Sequence, residues 1–153
     1  MLKLMISAGL LISSVSFAAM DDADHVMMTP QELKWVDGPP SLPPGSKFVI
    51  LYGDPAVAGP FSMRLKLPAK YQVGPHTHPQ DENISVISGT LLMGMGDDSK
   101  AKTTSLPAGS FARMKVGTHH FVRFEKETIL QLNSVGPWGI TYINPADDPR
   151  HKK

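Results

Sequence analysis

His76, His78 and Glu82 fall at i, i+2 and i+6 of the stretch Gly74-Pro75-His76-Thr77-His78-Pro79-Gln80-Asp81-Glu82. Side chains of an extended strand alternate between its faces, so the two imidazoles share one side. Pro79 and Gln80-Asp81 then turn the chain. Glu82 opens a second run, Ile84-Ser85-Val86-Ile87, of strand character. Read as a β-hairpin, the stretch aims two imidazoles and a carboxylate at one point, three-quarters of a divalent metal site. A further ligand must come from a distant strand. His119 and His120 are the candidates, and as strand neighbours they face opposite ways, so only one can serve. The chain has no cysteine, which excludes disulfides, thiolate catalysis and Cys-ligated zinc.

The elements that must position these groups read as strands. Lys47 to Tyr52 is apolar and β-branched and stops at Gly53-Asp54-Pro55. Phe61 to Leu67 alternates, with Phe61, Met63, Leu65 and Leu67 on one face and Ser62, Arg64 and Lys66 on the other. Thr90 to Met95, Lys102 to Leu106, Ser110 to Met114, Phe121 to Phe124, Thr128 to Asn133 and Ile140 to Ile143 follow between turns. No segment after residue 36 carries a long helical period free of Gly and Pro. The pattern predicts an all-β sandwich or barrel.

The 153 residues suffice for one domain with one core. Residues 1–19 read as a signal peptide: Lys3 is basic, Leu4 to Val15 is apolar, and Ser16-Phe17-Ala18-Ala19 offers small residues for cleavage. The apolar run is shorter than the roughly 20 residues of a spanning helix, so the expected address is periplasmic or secreted, with no stable membrane insertion after cleavage. Residues 20–46 read as an extended N-terminal arm, rich in proline from Pro30 to Pro44 and pinned by Leu33 and Trp35. The domain proper is expected over 47–146, with a polar tail at 147–153. Basic and acidic residues balance once the leader is removed, which argues against a nucleic-acid surface.

Two wider patterns carry a family resemblance. His76-x-His78-x3-Glu82-x6-Gly89 resembles the first cupin motif, with Lys70 where that motif opens on glycine. Gly109-x5-Lys115-x-Gly117-x2-His120 resembles the second, with Lys115 in place of its proline and Phe124 in place of its closing asparagine. The spacer between Gly89 and Gly109 suits a compact cupin. Leu51-Tyr52-Gly53-Asp54-Pro55 and Gly136-Pro137-Trp138-Gly139-Ile140-Thr141-Tyr142 look like the small single-domain cupins related to the ChrR cupin domain. The resemblance implies a cupin-type jelly-roll β-barrel and one divalent metal held by His76, His78, Glu82 and His120; strand alternation then leaves His119 facing outward or standing behind the ligands. It also implies a homodimer.

Three neutral imidazoles and one carboxylate leave a divalent ion with a net charge of about +1. Four protein ligands in an octahedral arrangement leave two adjacent positions for a bidentate substrate such as a diketone, a catechol or a hydroxyketone. The resemblance therefore implies a metal-dependent dioxygenase acting on a small carbonyl or phenolic compound. Iron, manganese, zinc, nickel and copper all suit the ligand set, and an oxidising compartment favours the metals other than iron. The alternative is a non-catalytic cupin, a sensor or sequestering protein for metal or small ligand. No residue is assigned a catalytic role beyond the metal ligands, and none is assigned to an organic cofactor. Met63, Leu65, Met93, Met95, Phe111, Phe121 and Leu132 are candidates for the pocket wall, mostly as core. Arg64, Arg113 and Arg123 read as solvated strand residues, and Gln131 and Asn133 as candidates to approach the metal's outer shell.

Overall fold

The computed structural model describes residues 25–151; the signal peptide expected over 1–19 lies outside the described residues. Eleven strands form two antiparallel sheets. The six-stranded sheet runs in the order β1 (Val36–Asp37), β2 (Lys47–Tyr52), β3 (Gly59–Leu67), β10 (Thr128–Gly136), β5 (Glu82–Ser88) and β8 (Phe111–Met114). The five-stranded sheet runs β11 (Thr141–Tyr142), β4 (Gln72–Thr77), β9 (His120–Arg123), β6 (Thr90–Met95) and β7 (Thr103–Pro107). This is the expected all-β jelly roll. Its two sheets face each other without a ladder closing them into one ring.

Strict alternation builds the interior. Phe61, Met63, Leu65 and Leu67 of β3 face inward as the pattern requires, opposite Leu130 and Leu132 of β10. Gln131 and Asn133 therefore point away from the interior, Gln131 accepting from Arg64 Nε at 3.2 Å. The idea that they approach the site is corrected by the two-residue period of β10.

The histidine stretch is not a hairpin. β4 pairs with β9 and β11, whereas β5 pairs with β10 and β8. Residues 78–81 are a corner that carries the chain from one sheet to the other. Its backbone groups are satisfied elsewhere: the His78 carbonyl accepts from Gly117 N at 3.0 Å, and the Asp81 carbonyl accepts from Ser134 Oγ at 2.6 Å. The Asp81 carboxylate accepts from Val116 N at 2.9 Å and pairs with Arg113. Pro79, lacking an N–H, suits a corner that feeds no ladder.

Glycine positions of the two motifs have a backbone reason. Gly89 has φ +77°, and a Cβ there would lie 2.4 Å from Thr128 Oγ1. Lys70, standing where the first motif has glycine, has φ +63°. The left-handed conformation is thus kept without the residue that adopts it most cheaply.

The proline-rich arm is laid along the domain. β1 pairs with β2, Lys66 Nζ sits 4.6 Å from the Trp35 ring centroid, and Leu33 is half-buried. Residues 39–44 then form a strap. Its carbonyls at Pro43 and Ser41 accept from the hydroxyls of Tyr71 at 2.6 Å and Tyr142 at 2.9 Å. At the other end, short 3₁₀ turns at Pro145–Asp147 and Pro149–His151 hold the chain through residue 151. Asp148 there is buried and pairs with Arg150.

Candidate metal centre

His76 on β4 and His120 on β9 are register partners in the five-stranded sheet. His78 lies one residue past β4, and Glu82 is the first residue of β5 in the facing sheet. The site therefore bridges the two layers. All four side chains are buried. The sheet-crossing corner, rather than a hairpin turn, brings Glu82 opposite the imidazoles.

Each imidazole is oriented from behind. Nδ1 of His76 lies 2.7 Å from the Gly74 carbonyl, that of His78 2.6 Å from Gly139, and that of His120 3.0 Å from Thr118. A carbonyl can only accept, so each Nδ1 carries the proton and each Nε2 presents a lone pair. The potential ligand atoms of the three histidines lie within 4.8 Å of one another. Glu82 Oε1 is 3.5 Å from His78 Nε2, and Oε2 is 3.3 Å from His120 Nε2. His78 Nε2 and Glu82 Oε2 are buried with no hydrogen-bond partner. A buried convergence of lone pairs lacks only a cation to satisfy it. The histidine triad could thus hold a metal ion, and the donor set of nitrogen and carboxylate oxygen suits a divalent transition metal.

Burial sets the electrostatics. Desolvation pushes His76 down to about 2, helped by the neighbouring His120 and His78. Desolvation also lowers His78, partly opposed by Glu82. Both shifts keep the imidazoles neutral, as ligands must be.

Two features escaped the reading of single residues. Trp138 stacks on the His78 ring, with centroids 4.2 Å apart and planes 16° from parallel, while Gly139 supplies the carbonyl behind His78. The signal was the Gly136-Pro137-Trp138-Gly139 run. Phe124, at the asparagine position of the second motif, is buried and lines the cavity. His119 faces outward, its Nδ1 2.5 Å from Asp97 Oδ1.

The cavity in front of the site measures about 290 Å³. Met63, Leu65 and Leu132 line it as expected. Met93 and Phe121 are instead buried in the packing, and Met95 and Phe111 are exposed. Phe121 alternates with His120, so its ring lies over Gly94, where a Cβ would come within 2.0 Å of it. Among the described residues no arginine lines the cavity: Arg64 binds Gln131, Arg113 pairs with Asp81, and Arg123 donates to the Ala101 carbonyl.

A family profile described as Domain of unknown function (DUF4437) matches residues 44–136. No curated protein matches the sequence. Among solved structures, the polyketide cyclase RemF from Streptomyces resistomycificus is similar at a TM-score of 0.65 and 13% identity, over 81% of this chain and 89% of its own. A proposed acetylacetone dioxygenase from Methylibium petroleiphilum PM1 is similar at 0.62 and 16%, over 86% and 89%. An RmlC-like cupin from Shewanella frigidimarina NCIMB 400 is similar at 0.59 and 13%, over 76% and 94%. At these identities the likeness establishes the cupin fold and nothing finer.

Proposed function

This chain belongs to the cupin-like DUF4437 family, and on that premise we propose that it is a metalloprotein whose single divalent ion is held by His76, His78, His120 and Glu82. The observation that carries this reading is the buried set of three Nε2 lone pairs and one carboxylate, each imidazole held in one tautomer by a backbone carbonyl. When bound, a divalent ion supplies Lewis acidity, and a redox-active one also electron transfer. The protein's own part is to exclude water, keep the imidazoles neutral and present an apolar chamber to a small carbonyl or phenolic compound. We propose oxygenation of such a compound as the reaction. The similar structures include the cyclase and the proposed dioxygenase, which supports catalysis without specifying it.

A specific observation also favours binding without turnover. Among the described residues lining the cavity, the four candidate ligands are the only titratable groups, so no separate general acid or base stands ready beside them. An exported address rests on residues 1–19 of the sequence, and a homodimer rests on the cupin resemblance; both belong to the proposal.

The test is elemental analysis of the wild type, His78→Ala and His120→Ala, with circular dichroism to confirm folding. Near one metal per chain in the wild type and almost none in the variants is expected; stoichiometric metal in both variants would refute the assignment. Oxygen uptake against diketones, catechols and hydroxyketones then separates turnover from binding.

A further inference from the structure

The cavity carries its titratable groups at one end only. On β9 and the residue beyond it, His120, Val122 and Phe124 face the same side at i, i+2 and i+4, a run of about 13 Å. The wall thus passes from a ligand-bearing end to a hydrocarbon end, where Leu67, Val73, Leu130 and the strap residue Leu42 join Phe124. Among the described lining residues, the only other polar side-chain groups are the Ser41 hydroxyl of the strap and the indole N–H of Trp138, which stacks on His78. Among the described residues no lysine or arginine lines the cavity.

Charge and size narrow what such a chamber accepts. A ligand with a carboxylate or a phosphate on its body, beyond the oxygen-bearing head, would bring a charge into hydrocarbon with no cation opposite it, a cost that excludes it. An apolar body gains by leaving water in proportion to its area. A cavity of about 290 Å³ is roughly twice the ~150 Å³ apolar cavity that takes up benzene. It therefore has room for one substituted ring or a short branched chain together with an oxygen-bearing head.

We infer that the site takes a small molecule with an oxygen-donor head at the histidine end and an uncharged hydrocarbon body lying against Phe124 and Leu42. A body that carries a carboxylate or a phosphate is excluded. The head's placement rests on the metal reading given above, while the body's rests on the cavity wall alone. Phe124 is the specificity-determining residue. At its position the second motif has asparagine, whose amide would offer a polar body hydrogen bonds that phenyl cannot. Leu42 joins the wall from the strap, which Tyr71 and Tyr142 hold by their hydroxyls.

The experiment uses zinc-loaded protein, because zinc does not change oxidation state. It is titrated with tropolone, with 4-isopropyltropolone and with a tropolone bearing a carboxylate at the same ring position, and the zinc content is measured in parallel. Metal-free protein is titrated with 2-naphthol by calorimetry. The isopropyl group is expected to tighten binding about tenfold or more by burying three carbons, and the ring carboxylate is expected to weaken binding about tenfold or more. Phe124→Asn should erase most of that gain and weaken 2-naphthol while zinc stays near one per chain. Leu42→Ser, on a half-buried strap residue outside the strands, should act in the same direction should Phe124→Asn fail to fold. An isopropyl group without effect, a carboxylated tropolone that binds as tightly as tropolone, or a folded pair of variants that bind like the wild type would overturn the inference. Zinc at one per chain with no 2-naphthol binding would overturn it while leaving the metal reading in place. 2-Naphthol binding without zinc uptake would overturn the metal reading and uphold the apolar chamber.

Discussion

Replacing Glu82 by glutamine should change stability in opposite directions with and without metal. Glu82 is 5% exposed, and its oxygens lie 3.5 Å from His78 Nε2 and 3.3 Å from His120 Nε2. With Nδ1 protonated on every ring, the Nε2 atoms and the carboxylate all present lone pairs, so without a cation between them they repel. A glutamine of nearly the same size donates an N–H to one imidazole and removes the buried charge. An unpartnered buried polar group costs about 1–3 kcal/mol. Metal-free Glu82→Gln should therefore be more stable by about 2 kcal/mol, a rise in Tm of roughly 5–10 °C for a domain of this length. With zinc present the sign reverses, because the ion loses the only anionic donor of the set. Zinc affinity should fall by more than the ~10–100-fold seen when an outer-shell partner is removed, and the zinc-induced rise in Tm should shrink accordingly. Calorimetric melts at pH 8, in chelator and in excess zinc, measure both halves. A metal-free variant that melts below the wild type would show that Glu82 is held by the fold as a structural group and is not aimed at an ion. An unchanged zinc-induced shift would remove Glu82 from the ligand set.

Two further outcomes are expected. His76 and His78 have folded pKa values below the ordinary histidine value, His76 at about 2. The unfolded chain therefore binds protons first as pH falls, so metal-free stability is fully present above about 6.5 and declines progressively from there toward 2. Denaturant titrations between pH 7 and 4 should show this decline, and it should flatten in His76→Gln. The Tyr71→Phe and Tyr142→Phe substitutions each remove one hydrogen bond to the strap, worth about 1 kcal/mol. Amide hydrogen exchange should accelerate over residues 39–46 while β3 and β10 stay protected; uniform acceleration across the domain would show that these hydroxyls support the whole fold and not the strap.

Much of this protein was determined by short-range chemistry. Alternation in Phe61 to Leu67 and the close spacing of turns imposed an all-β fold, because a strand buried on one face must repeat every two residues. The same period put His76 and His78 on one side, separated His119 from His120, and with the cupin motifs picked out four candidate ligands that the structure brings together. Only the tertiary structure decided that Glu82 faces the histidines from the opposite sheet: sequence marks a turn after His78 but carries no information on which strand pairs with β5. It likewise decided which apolar residues see the cavity. Met93 and Phe121 are as hydrophobic as Met63 and Leu132, and hydrophobicity measures burial, not whether the buried side chain meets a neighbour or a void. The roles of Trp138, Gly139 and the strap are also tertiary. Their contacts with His78, Tyr71 and Tyr142 span 28 to 101 residues, well beyond the reach of any local period.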